Sequence, residues 1–400
     1  MFQGIRIVEL AQYVFVPAAT AFLADWGAEV IKVEAPGGDP YRTIRIGDGR
    51  EIGAANLAME QNNRGKLSLG LDLKSPAGLE ALLRVLDGAD VFATSLRPAA
   101  LVRLGLDPET LRARWPRLIY ARGNGTGFGG ADADKAGYDA ASFWARGGFA
   151  DVLRSAPAQP PVRTRPAAGD HASSTAFALG LVSALFRRER TGQGGLVETS
   201  LLANAAWILS ADLGVACAGI GVASAEGIRM KPLPLQRAYR TADGRWLQIM
   251  ILAPDRHWAS FCALIGMPDG LTDPRFSTMD GRIAFGQELV ERIGERIGSR
   301  SWAEWRPLFE AWEGSWELVA TIEEVSRDPE VRANDMLFDV ALDDGTPLTL
   351  VSAPVVLDGR ASPGRPARAP DLGQHSAAVL AKAGLSEAEI AALHEAGAAF

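Results

Sequence analysis

Five short β-prone segments in the first 121 residues are separated by stretches of helical spacing, and this alternation limits the possible folds more than any other feature of the chain. Residues 4–10 (GIRIVEL), 29–33 (EVIKV), 67–71 (LSLGL), 90–93 (DVFA) and 117–121 (RLIYA) read as strands. Residues 17–26, closed by Gly27, residues 76–86 behind Lys74 and Ser75, and residues 108–115 read as helices. Strands joined through helices cannot close as hairpins, so they enter the sheet side by side and parallel. The expected architecture is α/β, a doubly wound parallel sheet with helices on both faces.

The pattern changes after residue 238. Residues 239–251 (YRTADGRWLQIMI) place an Asp-Gly turn between two alternating strands, a strong hairpin signal. Residues 340–350 repeat that signal around Asp344 and Gly345, and residues 363–370 (PGRPARAP) read as an extended linker. Between the hairpins, Trp258, Phe261, Leu264, Trp302, Trp305, Phe309, Trp312 and Trp316 recur at three- and four-residue spacing within their segments, which marks a core face. With 400 residues the chain exceeds what one core holds, so two domains are expected.

Charge and cysteine usage exclude several classes. A net charge of −7 supplies no global field for nucleic acid. Cys217 and Cys262 lie in no metal-ligand spacing and read as reduced packing residues, and no metal site is expected. No apolar run reaches membrane-spanning length, so no membrane partner is expected and the compartment is read as the cytoplasm.

Gly125, Gly127 and Gly130 form a GxGxxG, but no helix begins there and no acidic residue ends a following strand, so it reads as a flexible loop and not a dinucleotide fingerprint. There is no P-loop, GxSxG or HExxH. Lys32, Arg42, Arg64, Lys66, Lys74, Arg97 and Arg103 sit near element ends and, as a group, are the available anchor for a phosphate or pyrophosphate. Asp170, at the end of RPAAGD, has two readings. Ahead of a helical stretch at 172–186 it is a favoured N-cap; as a carboxylate kept ionised by the helix N-terminus, with Gly169 leaving room for a carbonyl, it is a nucleophile. His171 would face elsewhere, and the pair Tyr138-Asp139 closes the glycine loop as either a turn or a cleft lining. Phe143, Trp144 and Phe149 either favour a hydrophobic ligand or pack the sheet.

An ordered set of motifs resembles the family III CoA-transferases, the group that also includes α-methylacyl-CoA racemases. They are LADWGAEVIKVE (23–34), Gly38-Asp39 with Arg42, NRGKLSLGLDLK (63–74), PAALVRLG (98–105), Gly137 to Asp139, Gly169-Asp170, RTGQG (190–194), ADGRW (242–246), DPRF (273–276) and APDLGQH (369–375). The resemblance implies a Rossmann-like large domain from residues 1–225 and 330–400, a small α+β domain at 226–329, and an interlocked-ring homodimer. It implies that Asp170 attacks an acyl-CoA thioester, forms a mixed anhydride and then an aspartyl-CoA thioester, and passes CoA to a carboxylic acid acceptor. Coenzyme A is then a substrate, with no tightly bound cofactor.

By the same resemblance, Leu71, Asp72, Leu73 and Lys74, then Ser95, Leu96 and Arg97, then Arg103, contact CoA, as do Val14 and Phe15 through their backbone, with Tyr138 and Asp139 near the thioester. Two departures stand out: Ala35 replaces an arginine that some members carry, and no glycine-rich lid follows residue 225. Racemases of the family carry a histidine where this chain has Tyr138, and a phenol of ordinary pKa near 10 is a poor base, so transfer is favoured over α-carbon isomerisation.

Overall fold

A computed structural model describes residues 1–44, 56–154, 156, 158–162, 164–220, 233–361 and 367–400. The 225/226 domain boundary, the segment directly after residue 225 where a lid would start, and the first residues of the 363–370 linker lie outside the described residues. Two compact units are present: Met1–Leu153, Pro161–Gly221 and Glu330–Phe400 form one, and Arg154–Pro160 with Val222–Pro329 form the other.

The first unit is built on a six-stranded sheet: β1 (Arg6–Leu10), β2 (Glu29–Glu34), β3 (Leu67–Gly70), β4 (Val91–Thr94), β5 (Ile119–Asn124) and β6 (Gly195–Ser200). All neighbours are parallel, in the order β3-β2-β1-β4-β5-β6. The order reverses between β1 and β4, where Val8 pairs with Ile31 on one side and Phe92 on the other. Such a switch point opens a crevice at the carboxyl ends of the strands.

Strand alternation divides the core in two. Ile7, Val91, Ala93, Ile119 and Ala121 face one layer, which holds α1 (Phe15–Asp25) and the long helix at Ala168–Thr191. Val8, Leu10, Phe92 and Tyr120 face the other, with α3 (Pro76–Leu86), α4 (Pro98–Leu104), α5 (Pro108–Arg114) and the C-terminal helices Ser376–Lys382 and Glu387–Glu395. Between β2 and β3 runs α2 (Leu57–Asn63). Helix α1 is buried at every residue but Ala24, and its buried Asp25 is compensated by Arg64, with Nε at 2.9 Å and Nη2 at 2.6 Å from the carboxylate.

The chain returns to β3 at its far end. Residue 70 carries no side chain because the Phe400 ring occupies the space a Cβ would need, 2.5 Å away, and the Phe400 N–H donates to Gly70 O at 3.2 Å. The Asp72 N–H donates to Ala398 O at 2.9 Å. The hairpin of Leu337–Ala341 with Pro347–Val351 docks on Gln61, whose side-chain amide pairs both ways with the Val351 backbone at 2.9 Å.

The second unit carries the other expected hairpin, Gln236–Arg240 with Trp246–Met250, extended by Trp316–Leu318. Its core holds Trp258, Phe261, Trp305 and Phe309, with Trp302, Trp312 and Trp316 packed at its edge, so the aromatic stripe is a core face. Cys262 packs there, but Cys217 is exposed and is not a packing residue. Among the described residues no helix is long and apolar enough to cross a membrane.

The sheet rests on a buried cluster of charge. Lys32 Nζ lies 3.0 Å from Glu9 Oε1 and Lys66 Nζ 2.7 Å from Glu9 Oε2, with all three side chains inaccessible to solvent. Burial alone would raise the Glu9 pKa, but Lys66 and then Lys32 outweigh it and bring it down to about 2. Glu9→Gln leaves two buried ammonium groups short of one countercharge and is expected to cost about 3–5 kcal/mol, read from urea unfolding at pH 7.

Candidate active site at the carboxyl end of the sheet

The crevice predicted by the strand order is present as a cleft of about 540 Å³. Its walls are the ends of β1 and β2 (Leu10 to Gln12, Val33 to Ala35), the turn after β3 (Asp72, Leu73, Lys74) and one face of α4 with Leu96 before it. Arg103, in the last turn of α4, and Lys74 bring two exposed cations to this otherwise mostly apolar space. Ala35, in place of an arginine, is part of the lining and adds none.

Of the seven basic residues expected to gather as an anion anchor, only some are available. Lys32 and Lys66 are consumed by Glu9, Arg64 by Asp25, and Arg42 pairs with Glu34 at 2.6 Å. Lys74, Arg97 and Arg103 remain exposed, and only Lys74 and Arg103 of these line the cleft. The expected anchor is therefore a pair, because charge needed inside the sheet must be neutralised there.

The other sequence-derived positions divide in the same way. Asp72, Leu73 and Leu96 line the cleft. Ser95 is held back by a bond from the Gln12 N–H to its Oγ (3.1 Å), and Arg97 caps α4 outside the lining. Leu71 is fully buried in the core, so its side chain meets no ligand. Val14 and Phe15 are also buried, Val14 as the residue that precedes α1 and Phe15 against Phe177, 5.9 Å between ring centroids.

Asp170 is not a helix cap. The long helix at Ala168–Thr191 starts after Ala167, which takes the left-handed conformation at the cap position, and Asp170 stands within the first turn. Its carboxyl is half-buried and accepts no hydrogen bond among the described residues. The expectation of an ordinary ionised carboxylate is overturned as well: burial first, and the nearby Asp139 second, push its pKa up to about 7. The helix terminus does not offset that burial, since no backbone N–H among the described residues donates to the carboxyl.

Asp139 opens a π-helical turn at Asp139–Ala145 and is itself raised by burial. The Gly169 N–H and the Trp144 indole lean toward it and lower it in part, yet Asp139 Oδ1 and Trp144 Nε1 both end without a hydrogen-bond partner. Gly169 has a use other than the one expected. A Cβ there would stand 2.2 Å from Asp139 Oδ1 and 2.3 Å from the Phe143 ring, so the missing side chain admits these neighbours and not an incoming carbonyl. Phe143 is buried in the core and stacks on Phe149 at 4.8 Å, which favours the packing role for this group.

His171 points its Nε2 at Asn62 Oδ1, 2.9 Å away, and although the residue keeps exposed surface, burial of the ring and then Arg64 lower its pKa. It is a neutral neighbour at pH 7. Three tyrosines close the site: Tyr13, Tyr41 and Tyr138 meet through ring contacts of 6.2 and 5.3 Å centred on Tyr13, and the buried Tyr41 feels the Asp170 charge. Of these only Tyr138 was singled out from sequence; Tyr13 and Tyr41 carry no motif, and the sole signal was Gly38-Asp39 between them. Among the described residues no group of three or more His, Cys, Asp or Glu is placed to hold a metal ion.

The arrangement offers a half-buried carboxyl without a hydrogen bond among the described residues and, lined by other segments of the same unit, a cleft with two cations. For the carboxylate the sign of the pH effect follows from its raised pKa. The folded chain keeps the Asp170 proton between the ordinary carboxylate pKa and about 7 while the unfolded chain has lost it, so stability falls as pH rises through that window. Asp170→Asn is expected to gain roughly 1–3 kcal/mol over wild type between pH 5 and pH 8, read from denaturant midpoints along the pH series. Asp139→Asn should lower the Asp170 pKa without restoring it fully, since burial is the larger cause, as measured by carboxyl carbon NMR.

Comparison with known proteins agrees over nearly the whole chain. The sequence model of CoA-transferase family III matches residues 2–376. The cinnamoyl-CoA:phenyllactate CoA-transferase of Clostridium sporogenes is 31% identical over 401 residues, covering 99% of this chain and 96% of that protein. The α-methylacyl-CoA racemase of Homo sapiens is 29% identical, covering 97% of this chain and 94% of that protein. Among solved structures, the orthorhombic form of Rv3272 from M. tuberculosis aligns with a TM-score of 0.81 at 31% identity, over 94% of this chain and 98% of that one.

Proposed function

Since the chain belongs to CoA-transferase family III, we propose that it moves coenzyme A from an acyl-CoA thioester to a carboxylic acid, with Asp170 as covalent nucleophile, in the cytoplasm and as a homodimer. The observation that carries the mechanism is the Asp170 carboxyl itself, half-buried, without a hydrogen bond among the described residues and raised to about 7. Desolvation makes a carboxylate more basic and more nucleophilic, and roughly half of the molecules at neutral pH hold it ionised.

Each step exchanges one carboxylate or thiolate for another, so no net proton is needed. An Asp170 oxygen attacks the thioester carbonyl, the C–S bond breaks, and CoA leaves as thiolate from a mixed anhydride. The thiolate attacks the Asp170 carbonyl of that anhydride and expels the donor acid, which leaves an aspartyl-CoA thioester. The acceptor carboxylate then attacks this thioester and repeats the two steps in reverse, returning Asp170 as carboxylate. Keeping water from the anhydride is what the burial of Asp170 near Tyr41 contributes.

Lys74 and Arg103 are the charges we assign to the phosphates of CoA, with Asp72, Leu73 and Leu96 as walls. Ser95, Arg97, Val14, Phe15 and the Leu71 backbone form the outer frame of that site, and Tyr138 with Asp139 belong to its thioester end. The large unit is thus the CoA-binding domain. Racemisation at the α-carbon, the activity named for the human relative, is the weaker reading, since the residue between Gly137 and Asp139 is a tyrosine and not a histidine. A homodimer is supported by apolar side chains left uncovered in one chain, on the long helix (Leu179, Phe186) and on helices Leu201–Ile208 and Ser210–Cys217 (Trp207, Leu213), of which Trp207 is 79% exposed.

Incubation with a panel of acyl-CoAs and hydroxylamine should convert Asp170 to a hydroxamate found by peptide mass spectrometry, and Asp170→Ala should abolish both adduct and transfer. Deuterium uptake at the α-carbon in heavy water without an acceptor acid, and no adduct, would support isomerisation instead. Sedimentation at micromolar concentration should give a dimer; a folded monomer would overturn that part of the proposal.

A further inference from the structure

Among the described residues four that are not glycine have positive φ: Tyr13 (66°), Ala167 (58°), Asp335 (56°) and Asp358 (49°). Two of them, Tyr13 and Ala167, pack on the same small cluster of Val14, Ala18, Tyr41 and Ala58, whose Tyr41 feels the Asp170 charge. A bulky side chain in the left-handed region is unfavourable, and glycine would adopt it freely. Retaining a tyrosine there requires an interaction that the ring or its hydroxyl makes, and strain of this kind gathers at working sites.

What holds Tyr13 is the buried charge cluster. Lys32 Nζ reaches past Glu9 to Asp39 Oδ2 at 2.9 Å. The other oxygen of Asp39 accepts from two backbone N–H groups, that of Tyr13 at 3.2 Å and that of Tyr41 at 2.9 Å. One carboxylate oxygen therefore sets both tyrosines. What the strained backbone delivers is a phenol: Tyr13 stands edge-on to Tyr138, 5.3 Å between centroids at 88°, with the two hydroxyl oxygens 3.5 Å apart.

We propose that Tyr13 is a positioning residue for acyl transfer, its hydroxyl donating to Tyr138 Oη so that the Tyr138 proton is left to donate to the thioester carbonyl oxygen while Asp170 attacks. This role rests on the transferase reading. No proton changes owner; the pair supplies a preset dipole where negative charge develops. The hydrogen bond with Tyr138, ahead of burial, raises the Tyr13 pKa to about 12.

Tyr13→Phe, Tyr138→Phe and the double variant test it with a donor that gives the Asp170 adduct. Tyr13→Phe keeps the ring, the backbone and the Asp39 contact, so its melting midpoint should stay within about 2 °C of wild type. Its kcat should fall about 3- to 10-fold with KM for acyl-CoA within about twofold. The double variant should be no slower than Tyr138→Phe alone, because Tyr13 acts only through Tyr138.

Independently of turnover, ring-carbon NMR should find Tyr13 protonated at about pH 10.5 in wild type and ionising there in Tyr138→Phe. Unchanged kcat in Tyr13→Phe with the adduct intact, multiplicative losses in the double variant, or a Tyr13 titration indifferent to Tyr138 would each overturn the role of Tyr13 alone. A wild type that never forms the adduct overturns the transferase reading, and the role with it.

Discussion

Glu9, sealed between the ammonium groups of Lys32 and Lys66, is the interaction on which the rest of the large unit depends. It ties β1 to β2 and to the residue that leads into β3, at the end of the sheet where the cleft opens. Apolar side chains of equal volume would stabilise this spot as well or better, since each charge taken from water costs several kcal/mol before its partner offsets it. What charge adds here is direction. Lys32 extends the cluster to Asp39, and Asp39 fixes the backbone of both Tyr13 and Tyr41, so the core of the sheet and the chemistry at its edge share one set of contacts.

The two halves of the proposed site would have opposite electrical demands. Phosphates need exposed cations, and Lys74 and Arg103 sit in the open part of the cleft. A carboxylate nucleophile loses reactivity if a cation or a hydrogen bond neutralises it, and Asp170 has another carboxyl, Asp139, as its nearest charged influence. Separating the two demands along the segment from Leu10 to Tyr13 lets one fold serve both. Arg64, Arg42, Lys32 and Lys66 do not blur this division, because Asp25, Glu34 and Glu9 already pair with them.

Much of the fold was readable because it follows periodicity. Alternation marked β1 to β5 within a few residues, helix 76–86 was bounded correctly, and the Asp-Gly turns at Asp243 and Asp344 gave both hairpins. Strand β6 was missed because GLVETS alternates weakly and directly abuts a helix. Burial was the harder quantity. Nothing local distinguishes Lys66, hidden under Pro17, from Lys74, open to solvent, since the difference lies in which chain segment folds over each. Of the two readings of Asp170 the cap fails, because the cap position falls on Ala167, a residue with no intrinsic preference for a left-handed cap, and Asp170 stands in the first turn. The strained Tyr13 carries no motif of its own, and the one signal for it lay at a distance, in Gly38-Asp39, whose carboxylate accepts from the Tyr13 N–H.

The closing of β3 by residues 398–400 has a consequence for synthesis. The strand is an edge, its partner on that side belongs to the far end of the chain, and Gly70 is joined to Ser376 across 306 residues. A growing polypeptide therefore presents β3 and the turn of Asp72 to Lys74 with an unsatisfied flank through most of its time on the ribosome, the circumstance in which edge strands find wrong partners. The wall of the cleft that carries Lys74 therefore gains its flank, at Ala398 and Phe400, only after about 300 further residues have been made.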